Sequence, residues 1–151
     1  MLLYRLTKCV YANDLSGNGA RLYGGRWNSE GKAMIYLASS RALAVLEALV
    51  HLPPTYIPNE YCMVAIETPD DFADIDGKLL PNNWQYSSDL DVLKQVGNTF
   101  LSERKKLLLK VPSAIVNEEY NFLLNPIHAD AQKIKLKSIQ PFSFDSRLFN
   151  E

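Results

Sequence analysis

Residues 33–51 constrain the fold most. Ala33-Met34-Ile35-Tyr36-Leu37-Ala38 is an apolar run of strand length, and Ser39-Ser40 then offers an N-cap to residues 41–51. Ala42, Leu43, Ala44, Val45, Leu46, Ala48, Leu49 and Val50 predict a helix buried nearly all round, stopped by Pro53-Pro54. Glu47 is the one charge in its interior. Carrying a carboxylate into such a setting costs about several kcal/mol unless it is paired or opens on a polar cleft. Two readings follow: an i,i+4 contact from Glu47 to His51 on a single wet stripe, or a functional carboxylate.

The rest of the chain reads as short strands between turn signals. Residues 2–8 form a first strand, and residues 13–31 hold Gly17, Gly19, Gly24, Gly25 and Gly31, the mark of a shaped loop. Residues 61–67 and 72–75 are further strands, split by Pro69-Asp70-Asp71. Residues 89–104 place Leu90, Leu93, Val96 and Phe100 on one helical side, interrupted by Gly97. Leu107-Leu108-Leu109-Lys110-Val111 is a buried strand ending at Pro112-Ser113, and Lys133-Ile134-Lys135-Leu136-Lys137 alternates as an exposed antiparallel strand does. Strands outnumber helices without a βαβ rhythm. The class is therefore α+β: a single domain over residues 1–151 with a mostly antiparallel sheet and a few helices.

Charge narrows the function. Sixteen basic against seventeen acidic side chains give a net charge of −1, which disfavours a nucleic-acid partner and, with it, an RNA-cleaving activity. The basic group Arg104, Lys105, Lys106 and Lys110 reads as a solvated edge. Cys9 and Cys62 lack metal-ligand spacing and are expected as free thiols of a reduced, cytoplasmic protein without a zinc site. Neither a signal peptide nor a membrane-crossing window is expected.

Three further positions suggest chemistry. In Gly24-Gly25-Arg26-Trp27-Asn28 the paired glycines permit close backbone approach, and the guanidinium matches phosphate oxygens bidentately, so a pyrophosphate suits the loop. A tight turn with Arg26 paired to a core acid is the structural alternative. Tyr36 shares a strand face with Met34 and Ala38, as core or as a stacking platform. Ser113 lacks the Gly-x-Ser-x-Gly context of a hydrolase nucleophile.

Taken in order, these segments resemble the RES domain, named for an arginine, a glutamate and a serine. The resemblance is carried by Gly24-Gly25-Arg26-Trp27-Asn28, Ile35-Tyr36-Leu37-Ala38-Ser39, Ala42-Leu43-Ala44-Val45-Leu46-Glu47, Val111-Pro112-Ser113-Ala114, Asn121-Phe122-Leu123-Leu124-Asn125-Pro126-Ile127-His128 and Phe144-Asp145-Ser146-Arg147-Leu148. One departure precedes the serine strand. Gly97-Asn98-Thr99-Phe100 stands where a Gly-Asp-x-Trp-like segment is expected, which bears on local packing.

The resemblance implies a fold similar to ADP-ribosyltransferases and a bacterial toxin acting on NAD⁺ as substrate, with no separate cofactor or metal. It also implies an Xre-type antitoxin blocking the cleft, with a homodimer inside that complex as a further expectation. Glu47, Arg26, Tyr36 and Ser113 become the catalytic candidates, and Arg5, Gly25 and Asn121 join Arg26 and Tyr36 as substrate-binding candidates. Cleaving the nicotinamide–ribose bond develops positive charge on the ribose, which Glu47 would stabilise. Arg26 would hold the pyrophosphate, Tyr36 would stack on nicotinamide, and Ser113 would hydrogen-bond the ribose or carboxamide. Phosphate, water or a protein side chain is left open as the acceptor. A protein ADP-ribosyltransferase and a non-catalytic binding module are the competing functions.

Overall fold

In the computed structural model, which describes residues 1–86 and 90–150, the apolar runs become β1 (Leu2–Lys8), β2 (Ile35–Ala38), β3 (Tyr61–Glu67), β4 (Phe72–Asp74), β5 (Leu108–Pro112), β6 (Tyr120–Leu124) and β7 (Lys135–Phe142). The helices are α1 (Asn18–Tyr23), α2 (Arg41–Leu49) and α3 (Asp91–Glu103). Asp89, within the span expected for the third helix, lies outside the described residues. The strands form one sheet in the order β4-β5-β6-β2-β1-β3-β7, antiparallel except between β4 and β5. This is the expected α+β class.

Pairing is uneven across the sheet. β1 is zipped to β3 from Leu2↔Glu67 to Lys8↔Tyr61, and β2 to β6 from Ile35↔Leu124 to Ala38↔Asn121. β1 and β2 meet at a single register pair, Tyr4↔Ala38. Two well-laddered halves are thus joined by a narrow seam, and the strands part beside Tyr36 and Arg5.

The two-residue period sorts the side chains. Leu3, Ile35, Leu37, Val64, Phe122 and Leu124 make one core face. On the other face Ala38 and Met63 pack with Leu43 and Ala44 of α2, while Met34, Leu109, Val111 and Leu123 pack with Trp27 and with Leu93 and Phe100 of α3. Leu108 and Leu124 are fully buried, so truncating either to alanine costs about 2–5 kcal/mol. The two helices share one face of the sheet. The trough between them is floored by side chains of β2, β5 and β6.

Several expectations are corrected. α2 is not buried all round: Leu43 and Ala44 are buried, whereas Leu46 and Val50 are 36% and 56% exposed, because a helix laid on one layer hides only its sheet-facing stripe. The loop at residues 13–31 contains α1, which Gly17 and Gly24 bracket at φ 72° and 69°. Strand β6 was not anticipated. Cys9 and Cys62 are not free thiols but a disulfide with Cα atoms 4.9 Å apart. The β1–β3 ladder brings them together, Cys9 N donating to Glu60 O at 2.7 Å, so their 53-residue separation is no barrier. In the basic group expected as a solvated edge, Lys105, Lys106 and Lys110 are ion-paired with Glu103, Asp71 and Asp74. No helix among the described residues is long and apolar enough to cross a membrane.

Candidate active site

Ser40 caps α2 by accepting a hydrogen bond from Leu43 N at 3.1 Å, which fixes the turn that aims Glu47 into the trough. Glu47 Oε1 accepts from Ser113 Oγ at 2.8 Å and from Asn121 Nδ2. Ser113 is 3% exposed, and its Oγ also accepts from Ile115 N and Val116 N, both at 3.1 Å. A hydroxyl has one proton and two lone pairs, so Ser113 has no bonding capacity left for a ligand. It positions Glu47. Both donors to Glu47 are neutral, and no cation pairs with it among the described residues. The i,i+4 pairing with His51 is not formed. A carboxylate held in place but not neutralised is set to stabilise a positive charge that arrives from outside.

The loop bearing Arg26 is held from within the fold. Gly25 N donates to Asn28 O at 3.0 Å, and Trp27 N donates to Tyr36 Oη at 3.0 Å. Tyr36 Oη in turn donates to Asn28 Oδ1 at 2.6 Å. Fully buried Asn28 sends Nδ2 to the carbonyls of Ala20, Ser29 and Lys32 at 2.8, 3.2 and 2.9 Å. A Cβ on Gly25 would lie 2.5 Å from Tyr36 Oη. The close approach of Tyr36 and Asn28 therefore requires a glycine at this position. Burial raises the Tyr36 phenol well above its ordinary pKa, against weaker opposing pulls from Trp27, Arg26 and Asn28, so it stays protonated and offers its ring. Arg26 Nη1 touches Trp84 O at 3.4 Å, and no core acid pairs with Arg26 among the described residues.

Gly25, Arg26, Tyr36, Glu47 and Asn121 line one cavity of about 540 Å³, walled by α1 and α2 and by Leu90 just before α3. Ser113 stands behind its wall. Arg5 lines two neighbouring cavities that reach Tyr36 from the seam side. Its Nη2 donates to the carbonyls of Tyr11, Ala12 and Asp14 at 2.9, 3.3 and 2.6 Å. Burial lowers the Arg5 pKa, with Asp14 pulling the other way. Arg5 is thus an organiser of residues 11–14. Asn121 contributes its Nδ2 to Glu47, and its Oδ1 is buried without a hydrogen-bond partner.

Sequence reasoning missed the residues that support the loop. Gly97 does not merely interrupt α3: a Cβ there would sit 1.7 Å from Trp27 O, so helix and loop touch backbone to side-chain position. Asn98 donates from Nδ2 to Ser29 Oγ at 2.8 Å and accepts from Ser29 N at 3.1 Å. The Gly97-Asn98 departure from the family pattern therefore packs without a gap. Its signal was a glycine–asparagine pair inside a helix, where both are disfavoured. Asp71, His128 and Asp130 bring possible metal ligands within 4.8 Å of one another. Asp71 pairs with Lys106 and Asp130 with Lys133, at 2.8 Å each, and His128 Nδ1 accepts from Asp130 N at 3.1 Å.

The whole chain also has relatives. It is 41% identical over 144 residues to a protein named Prs ADP-ribosylating toxin from Sphingobium sp. (strain YBL2), covering 93% of this chain and 89% of that one. It is 38% identical over 151 residues to Toxin Res of Photorhabdus laumondii, covering 98% and 97%. The fold is similar to a chain in the crystal structure of the M. tuberculosis MbcT-MbcA toxin-antitoxin complex, at a TM-score of 0.75 and 21% identity over 94% of this chain and 84% of that one. With the RES domain pattern matched over residues 2–145, and with Arg26, Glu47 and Ser113 gathered at one trough, the chain belongs to the RES domain family.

Proposed function

We propose that this chain is the toxin of a toxin–antitoxin pair and that it depletes NAD⁺ in the cytoplasm by breaking the nicotinamide–ribose bond. One observation carries the reading: Glu47 is fixed by two neutral donors and left with its charge uncompensated at a cavity wall. As the bond to nicotinamide lengthens, its electron pair leaves with the ring and C1′ becomes electron-poor. Glu47 stabilises that centre, and a nucleophile then adds to C1′. Arg26 faces the same cavity and supplies a cation for the pyrophosphate, which places the reacting carbon. The Tyr36 ring packs against the nicotinamide riboside. Ser113 and Asn121 act through Glu47. NAD⁺ enters as substrate, and these steps need no further cofactor.

Phosphate or water as acceptor gives ADP-ribose-1″-phosphate or ADP-ribose. A protein acceptor is the second reading, favoured by the name of the Sphingobium relative. An enzyme that destroys a central cofactor must be held inactive in its own cell. An Xre-type antitoxin seated at the cavity mouth, in a complex that contains a toxin dimer, meets that need.

Mass analysis of products formed from NAD⁺ by the purified, partner-free chain, with and without phosphate and with protein acceptors, separates these outcomes. NAD⁺ left intact over hours by stoichiometric folded protein would overturn the enzymatic reading.

A further inference from the structure

A second cavity, of about 440 Å³, opens on the seam side of Tyr36 and is not used by the chemistry above. Its size falls within the roughly 300–1,000 Å³ usual for small-molecule sites. Tyr36 is common to all three cavities, and Gly19, Ala20 and Tyr23 wall both this cavity and the larger one. An extended ligand can therefore reach from one to the other past Tyr36.

Two tyrosines and one carboxylate give the cavity its chemistry, beside the Arg5 guanidinium, whose Nη2 is committed to the carbonyls of Tyr11, Ala12 and Asp14. Tyr11 and Tyr23 line it while remaining 57% and 82% exposed, so their rings present stacking surface that the fold does not use. Exposed aromatic faces beside a concave site are the means by which proteins hold a nucleobase. Asp14 stands at the same wall, held by Arg5 through its own carbonyl, with Oδ1 accepting from Ser16 N at 2.8 Å. Hydrogen bonds from Ser16 keep the Asp14 carboxyl below its ordinary pKa, so it is ionised at neutral pH. A fixed carboxylate beside a base-stacking surface suits the two hydroxyls of a ribose and repels a phosphate placed on either of them.

We propose that this cavity holds the adenosine half of the dinucleotide, with Tyr11 and Tyr23 against adenine and Asp14 on the ribose diol, making Asp14 the residue that selects NAD⁺ over NADP⁺. The inference rests on the NAD⁺ reading and extends it to a second subsite. Residues 11–14, which Arg5 straps to β1, form one wall of this subsite and link it to the seam.

AMP titrated into tyrosine-labelled protein, followed by NMR, tests the subsite without requiring turnover. AMP is expected to shift the Tyr11 and Tyr23 signals and to bind about tenfold more weakly to Tyr11→Ala, an ordinary loss for one stacked base. Asp14→Asn, isosteric and at the surface, is expected to lower the ratio of kcat/KM for NAD⁺ over NADP⁺ at least about tenfold. Unmoved Tyr11 and Tyr23 signals, or an unchanged NAD⁺/NADP⁺ ratio in folded Asp14→Asn, would overturn the proposal. NAD⁺ consumption with both tyrosines silent removes the subsite and keeps the reaction. AMP binding there in a chain that never consumes NAD⁺ removes the reaction and keeps the subsite.

Discussion

The Arg26 loop and the Glu47 clamp face each other across one trough but are built in opposite ways. The loop is held by backbone and by buried polar groups: Asn28 spends its whole amide on the chain, Tyr36 spends its hydroxyl, and α3 closes on Trp27 with no room for a methyl group. The clamp is held by side chains alone, two neutral donors meeting one carboxylate oxygen on a half-exposed helix. Damage to the loop should therefore register in stability first. Damage to the clamp should register in rate.

Gly97→Ala should break the loop side hardest. Alanine in a helix interior ordinarily gains about 0.8–1.0 kcal/mol over glycine, but a Cβ 1.7 Å from a carbonyl oxygen forces helix and loop apart. A net loss of about 3 kcal/mol is expected, the upper end for an overpacked site. At this chain length that is a fall in Tm of about 10 °C by calorimetry. A rise in Tm would show that α3 does not press on Trp27.

Tyr36→Phe is the next largest and keeps the ring. It strands Trp27 N and Asn28 Oδ1 in a buried network, for which about 1–3 kcal/mol is expected by chemical denaturation. Arg26 should then lose its fixed approach, so KM for NAD⁺ should rise. Unchanged stability would mean that the loop does not depend on the tyrosine hydroxyl.

Ser113→Ala sharpens the contrast from the clamp side, with a smaller stability cost of about 1 kcal/mol for the lost hydroxyl. Asn121 still holds Glu47 Oε1, so kcat should drop only about tenfold, well short of what losing a whole electrostatic stabiliser costs. A loss as large as removal of the Glu47 charge would mean that Ser113 touches substrate itself.

How far the sequence reached follows the same division. Apolar runs of strand length bounded by turn signals placed β1, β2, β3 and β5, and an apolar run behind a serine N-cap placed α2. β6 escaped because its apolar run, Phe122-Leu123-Leu124, is short and stops at once at Asn125-Pro126, while Tyr120 and Asn121 carry no strand signal of their own. The disulfide escaped because only the ladder register makes Cys9 and Cys62 neighbours. At the site, Glu47 was legible as a charge where an apolar helix has no use for one. Its two donors lie 66 and 74 residues further on, Ser113 just after β5 and Asn121 in β6, and no local pattern announces them. Gly25 was legible as a residue that permits close approach, but what approaches is Tyr36.

One isosteric change tests the central claim most directly: Glu47→Gln assayed for NAD⁺ turnover beside its melting temperature. Glutamine preserves size and can still accept from Ser113 and Asn121, so only the charge is removed. Because no cation pairs with Glu47 among the described residues, none of these is stranded, and the Tm should hold. Turnover should fall at least about a hundredfold, with the loss in kcat. Near-normal turnover in a folded Glu47→Gln protein would contradict the assignment of Glu47 as the carboxylate that stabilises the transition state.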